Sequence, residues 1–365
     1  MDITQYLKLM ADKSASDLFF STGAMVGIKI EGVTRPVGNT TLSLGVVKDV
    51  AYSIMTDEQQ KVFEATLEMN LGLSVNGLGR FRINVFKQRG EVAMVVRYIK
   101  SSVPSLEALG LPPTLSRLIM LKRGLVLVVG ATGSGKSTSL ASMIDFRNNR
   151  STGHILTIED PLEFLHAHKK SIVNQREVGL DTKSYGEALK NAMREAPDVI
   201  LIGEVRDRET MEHAIHYAET GHLCLTTLHA NNANQALDRI INFFPDSSHH
   251  QLLLDLSLNL KGIISQRLVP GLQSRLVPAV EVLLTSPYIA QLVQDGNIQE
   301  IKAIMEQSTD TGMQTFDQSL FSLYCNNQIS RDEALKNADS RNNLGLKIRL
   351  AEGVSADGLS NMQIS

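Results

Sequence analysis

Residues 124–138 read GLVLVVGATGSGKST. An apolar run, a glycine-rich turn and the helix-forming stretch STSLASMIDF follow one another, so the segment must be strand, tight loop, helix. Gly130, Gly135, Lys136 and Ser137 fill the G-x-x-x-x-G-K-[ST] pattern, with Thr132, Gly133, Ser134 and Thr138 completing the loop. The glycines allow backbone N–H groups to turn inward around phosphate oxygens, and the helix N-terminus adds partial positive charge. Lys136 is expected to reach the β- and γ-phosphates and the Ser137 hydroxyl to ligate Mg²⁺. No N-K-x-D guanine-reading motif occurs, so the expected nucleotide is ATP.

Around this loop, strand-like and helix-like stretches alternate. HILTIED, DVILIG and HLCLTTLH read as strands, with helices over 183–195 and 207–219, which implies a wound, mostly parallel sheet. Ligands in such sheets sit beyond the carboxyl ends of the strands. Glu159, Asp160 and Glu163 lie at or just beyond the end of the second strand, and Glu204 ends the strand-like DVILIGE within APDVILIGEVRD. All are expected on the rim that carries the loop, where a carboxylate can orient the attacking water. Gly203 stands where an Asp often supports the metal. The acidic work is then divided between two strand ends, and the glycine is expected to leave room for Mg²⁺ and its waters. The third strand ends at His229. His222, Thr226 and Thr227 are candidates, with it, for sensing the γ-phosphate.

The remainder organises around that core. Residues 1–100 read as a small α+β domain: a helix over Ile3–Ala11, strands at LFF and GIKIEG, one helical stretch over Gly45–Leu67 and a hairpin around QRGE. Residues 101–114, with three prolines, read as a linker. The ATPase core is expected over 115–285 and a helical region over 286–350, the pattern turning helical from about 250 with one strand at LVPAVEVLL. A loose tail is expected over 351–365. At 365 residues, 43% hydrophobic and with net charge −3, the chain gives no sign of a large phosphate-binding face, so nucleic acid is not an expected partner. Its two cysteines have no CxxC spacing, and His213 and His216 have no second cluster, so no zinc site is expected. Neither a signal peptide nor a long apolar segment is present, so a soluble, cytoplasmic protein is expected.

Four stretches in order, GATGSGKST, TIEDPLEF, APDVILIGEVRD and TGHLCLTTLHANN, resemble the motifs of the type IV pilus retraction ATPases, within the secretion ATPase superfamily. The likeness extends to ASDLFF, GRFRINVF and GMQTFD. The resemblance implies an α/β chain with a PAS-like N-terminal domain and a RecA-like P-loop domain, assembled as a homo-hexamer with ATP bound between the domains. It implies ATP hydrolysis with Mg²⁺, in which Glu159 or Glu163 acts on the water, Glu204 supports the metal and His229 lies at the site. Arginines at positions Arg80, Arg82 and Arg97, with Arg194 and Arg206 beside the Glu204 strand, are implied as phosphate contacts. The implied partner is the inner-membrane platform of a pilus, met at the membrane's cytoplasmic face. A C-terminal charged motif of the family here reads YIAQLVQD (288–295), with glutamine in place of arginine and Asp295 in place of glutamate. That departure points to the accessory branch, which works with a PilT-type ATPase.

Overall fold

The computed structural model describes residues 1–273 and 276–353. Two units emerge, and the chain passes between them repeatedly. The first comprises Met1–Val103, Pro161–Ala167 and Arg176–Ser184; the second comprises Pro104–Asp160, His168–Gln175 and the chain from Tyr185 onward.

The first unit opens with α1 (Ile3–Asp12), capped by the Asp2 side chain on the Thr4 N–H, and buries Ile3, Leu7 and Met10. β1 (Asp17–Ser21), β2 (Val26–Ile30) and β3 (Val33–Val37) follow. The single helical stretch expected over Gly45–Leu67 is two helices, α2 (Val46–Ser53) and α3 (Asp57–Thr66). The break has a local cause. Thr56 accepts from the Gln59 N–H while the Gln59 side chain accepts from the Thr56 N–H, a reciprocal cap that starts a new helix. β4 (Glu68–Val75), β5 (Gly79–Gln88) and β6 (Glu91–Ile99) complete an antiparallel sheet in the order β3-β2-β1-β6-β5-β4. The β5–β6 hairpin turns at Arg89-Gly90, as expected from QRGE. Alternate β5 residues Phe81, Ile83 and Val85 are buried, so Arg80 and Arg82 share the opposite face.

The second unit begins with α4 (Thr114–Ile119), β7 (Gly124–Val129) and α5 (Lys136–Arg150). β8 (Gly153–Glu159) is followed by β9 (Ser171–Glu177), which the sequence pattern does not announce, then by α6 (Tyr185–Ala192), β10 (Val199–Ile202), α7 (Arg208–Glu219), β11 (Leu223–Leu228), α8 (Ala233–Ile241) and α9 (His249–Asn259). The largely helical pattern expected from about 250 is interrupted by β12 (Leu260–Pro270), which pairs with β7 and, in antiparallel register, with β13 (Leu276–Leu284). Its apolar residues run on from those of α9, so periodicity alone does not separate the two elements. The sheet order is β13-β12-β7-β11-β10-β8-β9, with β12, β7, β11, β10 and β8 mutually parallel. Every residue of β7, β10 and β11 is buried, which explains their unbroken apolar sequences.

α10 (Pro287–Gln294), α11 (Ile301–Gln307), α12 (Phe316–Cys325), α13 (Arg331–Asn337) and α14 (Arg341–Ala351) form the helical C-terminal region. Phe316, Leu320, Leu344 and Ile348 are fully buried in its core. Of the tail expected over 351–365, residues 354–365 lie outside the described residues, and Ala351 closes α14. No described helix is long and apolar enough to cross a membrane.

Candidate active site

Strand register builds the site. Val129 lies opposite Leu228, and Ile202 lies between Thr226 and Ile158. The loop after β7, His229 after β11, Gly203-Glu204 after β10 and Glu159 at the end of β8 therefore share one rim of a parallel sheet.

The loop is built for phosphate. Gly130 has φ +153°, and a Cβ there would lie 2.5 Å from the Gln266 carbonyl oxygen and 2.4 Å from Ser134 Oγ. Only glycine fits a loop pressed this closely onto β12. Ser134 Oγ is buried without a hydrogen-bond partner, an unfilled polar group inside a cradle of backbone amides. Lys136 Nζ donates to the carbonyls of Gly130 (2.8 Å) and Ala131 (3.0 Å), which centres its charge in the loop. Ser137 and Thr138 stand half-buried in the first turn of α5, and Thr132 and Gly133 are exposed at the tip. A cavity of about 360 Å³ opens beside the loop, lined by Gly130, Ala131, His229, Asn231, Gln235 and Arg239 among others.

Glu204 is held at both carboxylate oxygens. Arg206 Nε and Nη2 donate to its Oε2 at 2.8 and 2.7 Å, and His229 Nε2 lies 2.8 Å from Oε1. Both oxygens are thus oriented by neighbours, one through a two-toothed guanidinium contact. Glu159 Oε1 accepts from the buried Thr157 hydroxyl at 2.7 Å.

The space beside Gly203 is already filled. A Cβ at 203 would lie 3.0 Å from the Tyr185 hydroxyl oxygen, 3.1 Å from Glu159 Cα and 3.3 Å from the Ile158 carbonyl oxygen. The expectation that this glycine leaves room for a metal and its waters is corrected: the glycine lets β8 and Tyr185 approach. Burial raises the Tyr185 phenol well above its ordinary value, and the Asp160, Glu159 and Glu204 carboxylates add to the shift, so the ring presents a neutral O–H among them. Sequence reading missed Tyr185, because nothing local ties position 185 to position 203.

The other candidates fall into distinct places. Thr226 is wholly buried inside the sheet, and the Thr227 hydroxyl donates to the Gly203 carbonyl (2.7 Å), stitching β11 to the Glu204 turn. His222 precedes β11, and its carbonyl accepts from the Gly124 N–H at the start of β7. It therefore lies a full strand length, roughly 20 Å, from the rim. Arg194, exposed just before β10, is at that far end too. Arg97 pairs with Asp17 at 2.8 Å within the first unit. Arg80, Arg82 and Glu163 belong to the first unit as well, and Glu163 is exposed. A second residue missed from sequence is Glu281. Its buried Oε1 accepts from the Ala233 N–H (2.8 Å) and the Ser265 hydroxyl (2.9 Å), fixing the start of α8 just after the His229 loop.

Comparison with known proteins places the chain in a family. Residues 1–318 match the family described as type II/IV secretion system protein. The chain is 52% identical over 365 residues to the type IV pilus ATPase PilU of Pseudomonas aeruginosa, covering 99% of this chain and 95% of that protein. It is 42% identical over 338 residues to the retraction ATPase PilT of the same organism, covering 93% and 98%. Among solved structures, the pilus retraction motor PilT with bound ADP superposes with a TM-score of 0.88 at 40% identity, covering 95% of this chain and 99% of that one. The Legionella pneumophila ATPase DotB gives 0.73 at 25% identity, covering 91% and 94%.

Proposed function

The chain belongs to the type II/IV secretion system protein family, and from that membership we propose that it is an ATP-hydrolysing motor of type IV pilus retraction and twitching motility, acting as a PilU-like accessory to a PilT-type ATPase. The observation that carries the enzymatic reading is the single rim on which the phosphate loop, Glu159, Glu204 and His229 stand together. Relatedness to PilU and PilT supplies the pilus.

In this reading the backbone amides of the loop and Lys136 hold the ATP phosphates, and the buried Ser134 hydroxyl turns to a phosphate oxygen. Ser137 would hold Mg²⁺, with Glu204 joining it once Arg206 releases its carboxylate, and the ion would neutralise charge on the phosphate oxygens. Glu159 or Glu163 accepts a hydrogen bond from the attacking water, and His229, hydrogen-bonded to Glu204, reports the state of the γ-phosphate. Arg80 and Arg82 supply positive charge to the phosphates; Arg206, once drawn from Glu204, can do the same. The enzyme is a homo-hexameric ring at the cytoplasmic face of the inner membrane, working on the pilus platform protein. The accessory role is supported by the likeness to PilU over nearly the whole chain; in α10 the Gln291 amide donates to both oxygens of Asp295 at 2.9 Å. Those two exposed residues satisfy each other.

Two measurements test the reading. Lys136→Ala is expected to lower phosphate release about 100-fold or more, as loss of a transition-state charge does; near-normal turnover would refute the loop assignment. Pilus retraction is expected to require a PilT-type partner. Full retraction driven by this protein in a strain lacking that partner would make it the primary motor instead.

A further inference from the structure

Glu177 ends β9 and is 2% exposed. Its surroundings lie within the first unit. Arg82 Nε stands 3.8 Å from Oε1, and the Arg80 guanidinium adds a second positive charge. The Leu162 backbone N–H is within hydrogen-bonding reach of the carboxylate. Yet Glu177 Oε2 and Arg80 Nε are both buried without a hydrogen-bond partner. A buried carboxylate normally fills its lone pairs. Here the arginines are held by charge at a distance rather than by a close fork, a contact that can be given up.

The competition has a direction. A guanidinium prefers phosphate or carboxylate in two-toothed geometry, which Glu177 does not offer either arginine. Arg80 packs over Gly72 beside Leu180, where a Cβ on that glycine would lie 2.8 Å from its Nη2. Arg82 is partly exposed at 26%. Withdrawing the arginines leaves a buried negative charge uncompensated, and burial already pushes the Glu177 carboxyl upward against the pull of Arg82 and Arg80. The same carboxylate meets the segment carrying Glu163, which is anchored to the end of β6 by the Leu165 N–H donating to the Lys100 carbonyl at 2.9 Å.

We propose that Glu177 is a positioning residue for nucleotide binding: it retains Arg80 and Arg82 as its counter-charges, and ATP phosphates must draw them from it. The proposal rests on the reading that these arginines contact phosphate. ATP affinity is then reduced by the fraction of molecules in which the arginines are engaged.

The test is steady-state phosphate release by the full-length protein over a range of ATP concentrations. Glu177→Gln keeps an acceptor for the Leu162 N–H and removes only the charge. It is expected to lower KM for ATP about 3- to 10-fold with kcat within about twofold. In an Arg80→Ala/Arg82→Ala background the same change is expected to have no effect on KM. A merely structural residue would give no fall in KM. An unchanged or raised KM in Glu177→Gln, or a fall that persists without the arginines, would overturn the proposal. Arg80→Ala/Arg82→Ala with the parent's KM would instead overturn the arginine–phosphate reading beneath it. Should Glu177→Gln not fold, Glu177→Asp, which draws the charge back by one methylene, is expected to shift KM in the same direction by less; no shift there overturns the proposal equally.

Discussion

A glycine at position 203 decides how β10 can end. Its missing side chain lets the Tyr185 hydroxyl and the Glu159 backbone close on the strand. Restoring the acidic pair common in other nucleoside triphosphatases should therefore damage this one. Gly203→Asp is expected to lose about 5- to 100-fold in turnover, because the overpacking costs about 1–3 kcal/mol at the point where Glu159 and Glu204 are held. Gly203→Ala should show a milder form of the defect. Tyr185→Phe should relieve it in part, since it removes the 3.0 Å neighbour but leaves Glu159 Cα at 3.1 Å. Full activity of Gly203→Asp would show that the strand end is more yielding than this packing implies. The phosphate loop was legible because its chemistry is written in consecutive residues. Tyr185, Glu177 and Glu281 were not, since each acts on a residue brought to it only by the fold.

At the scale of elements, α2 and α3 are joined through one surface carboxylate. Glu64 on α3 accepts from the Tyr52 hydroxyl, from Lys48 on α2 and from Lys87 on β5. The Tyr52 hydrogen bond, then those of the two lysines, hold the Glu64 carboxyl down from 4.5 to about 2. An acid with a depressed folded-state value adds stability that is full above its unfolded value and fades as pH falls toward the folded one. Unfolding midpoints in urea should therefore decline between about pH 4.5 and 2, and Glu64→Gln should flatten that part of the profile. Identical profiles for the two proteins would assign the decline to other groups. Element types were readable where one periodicity holds, as in α1, β7 and the β5–β6 hairpin. They were not where two apolar elements abut, as at α9 and β12, or where a side-chain cap splits a continuous pattern, as at Thr56.

For the whole molecule, the proposed ring makes a definite demand. Six copies of a 40.1 kDa chain should sediment as one particle of roughly 240 kDa in the presence of nucleotide. A protein that stays monomeric under those conditions while hydrolysing ATP at its full rate would remove the ring from the mechanism. Four ordered motifs made the family legible from end to end of the chain. The assignment of 161–167 and 176–184 to the N-terminal unit was invisible, because those stretches lie between strands of the parallel sheet and carry no composition of their own.

The chain changes unit five times, so the N-terminal unit is not a continuous stretch of sequence. When Val103 leaves the ribosome, the β5 arginines have no Glu177 and β6 has no Phe164 beside its end. The unit becomes complete only once Ser184 has been synthesised, by which time β7, α5 and β8 are already available to fold. Maturation of the N-terminal unit is thereby tied to the birth of the phosphate loop, and no single cut in the chain can release it whole.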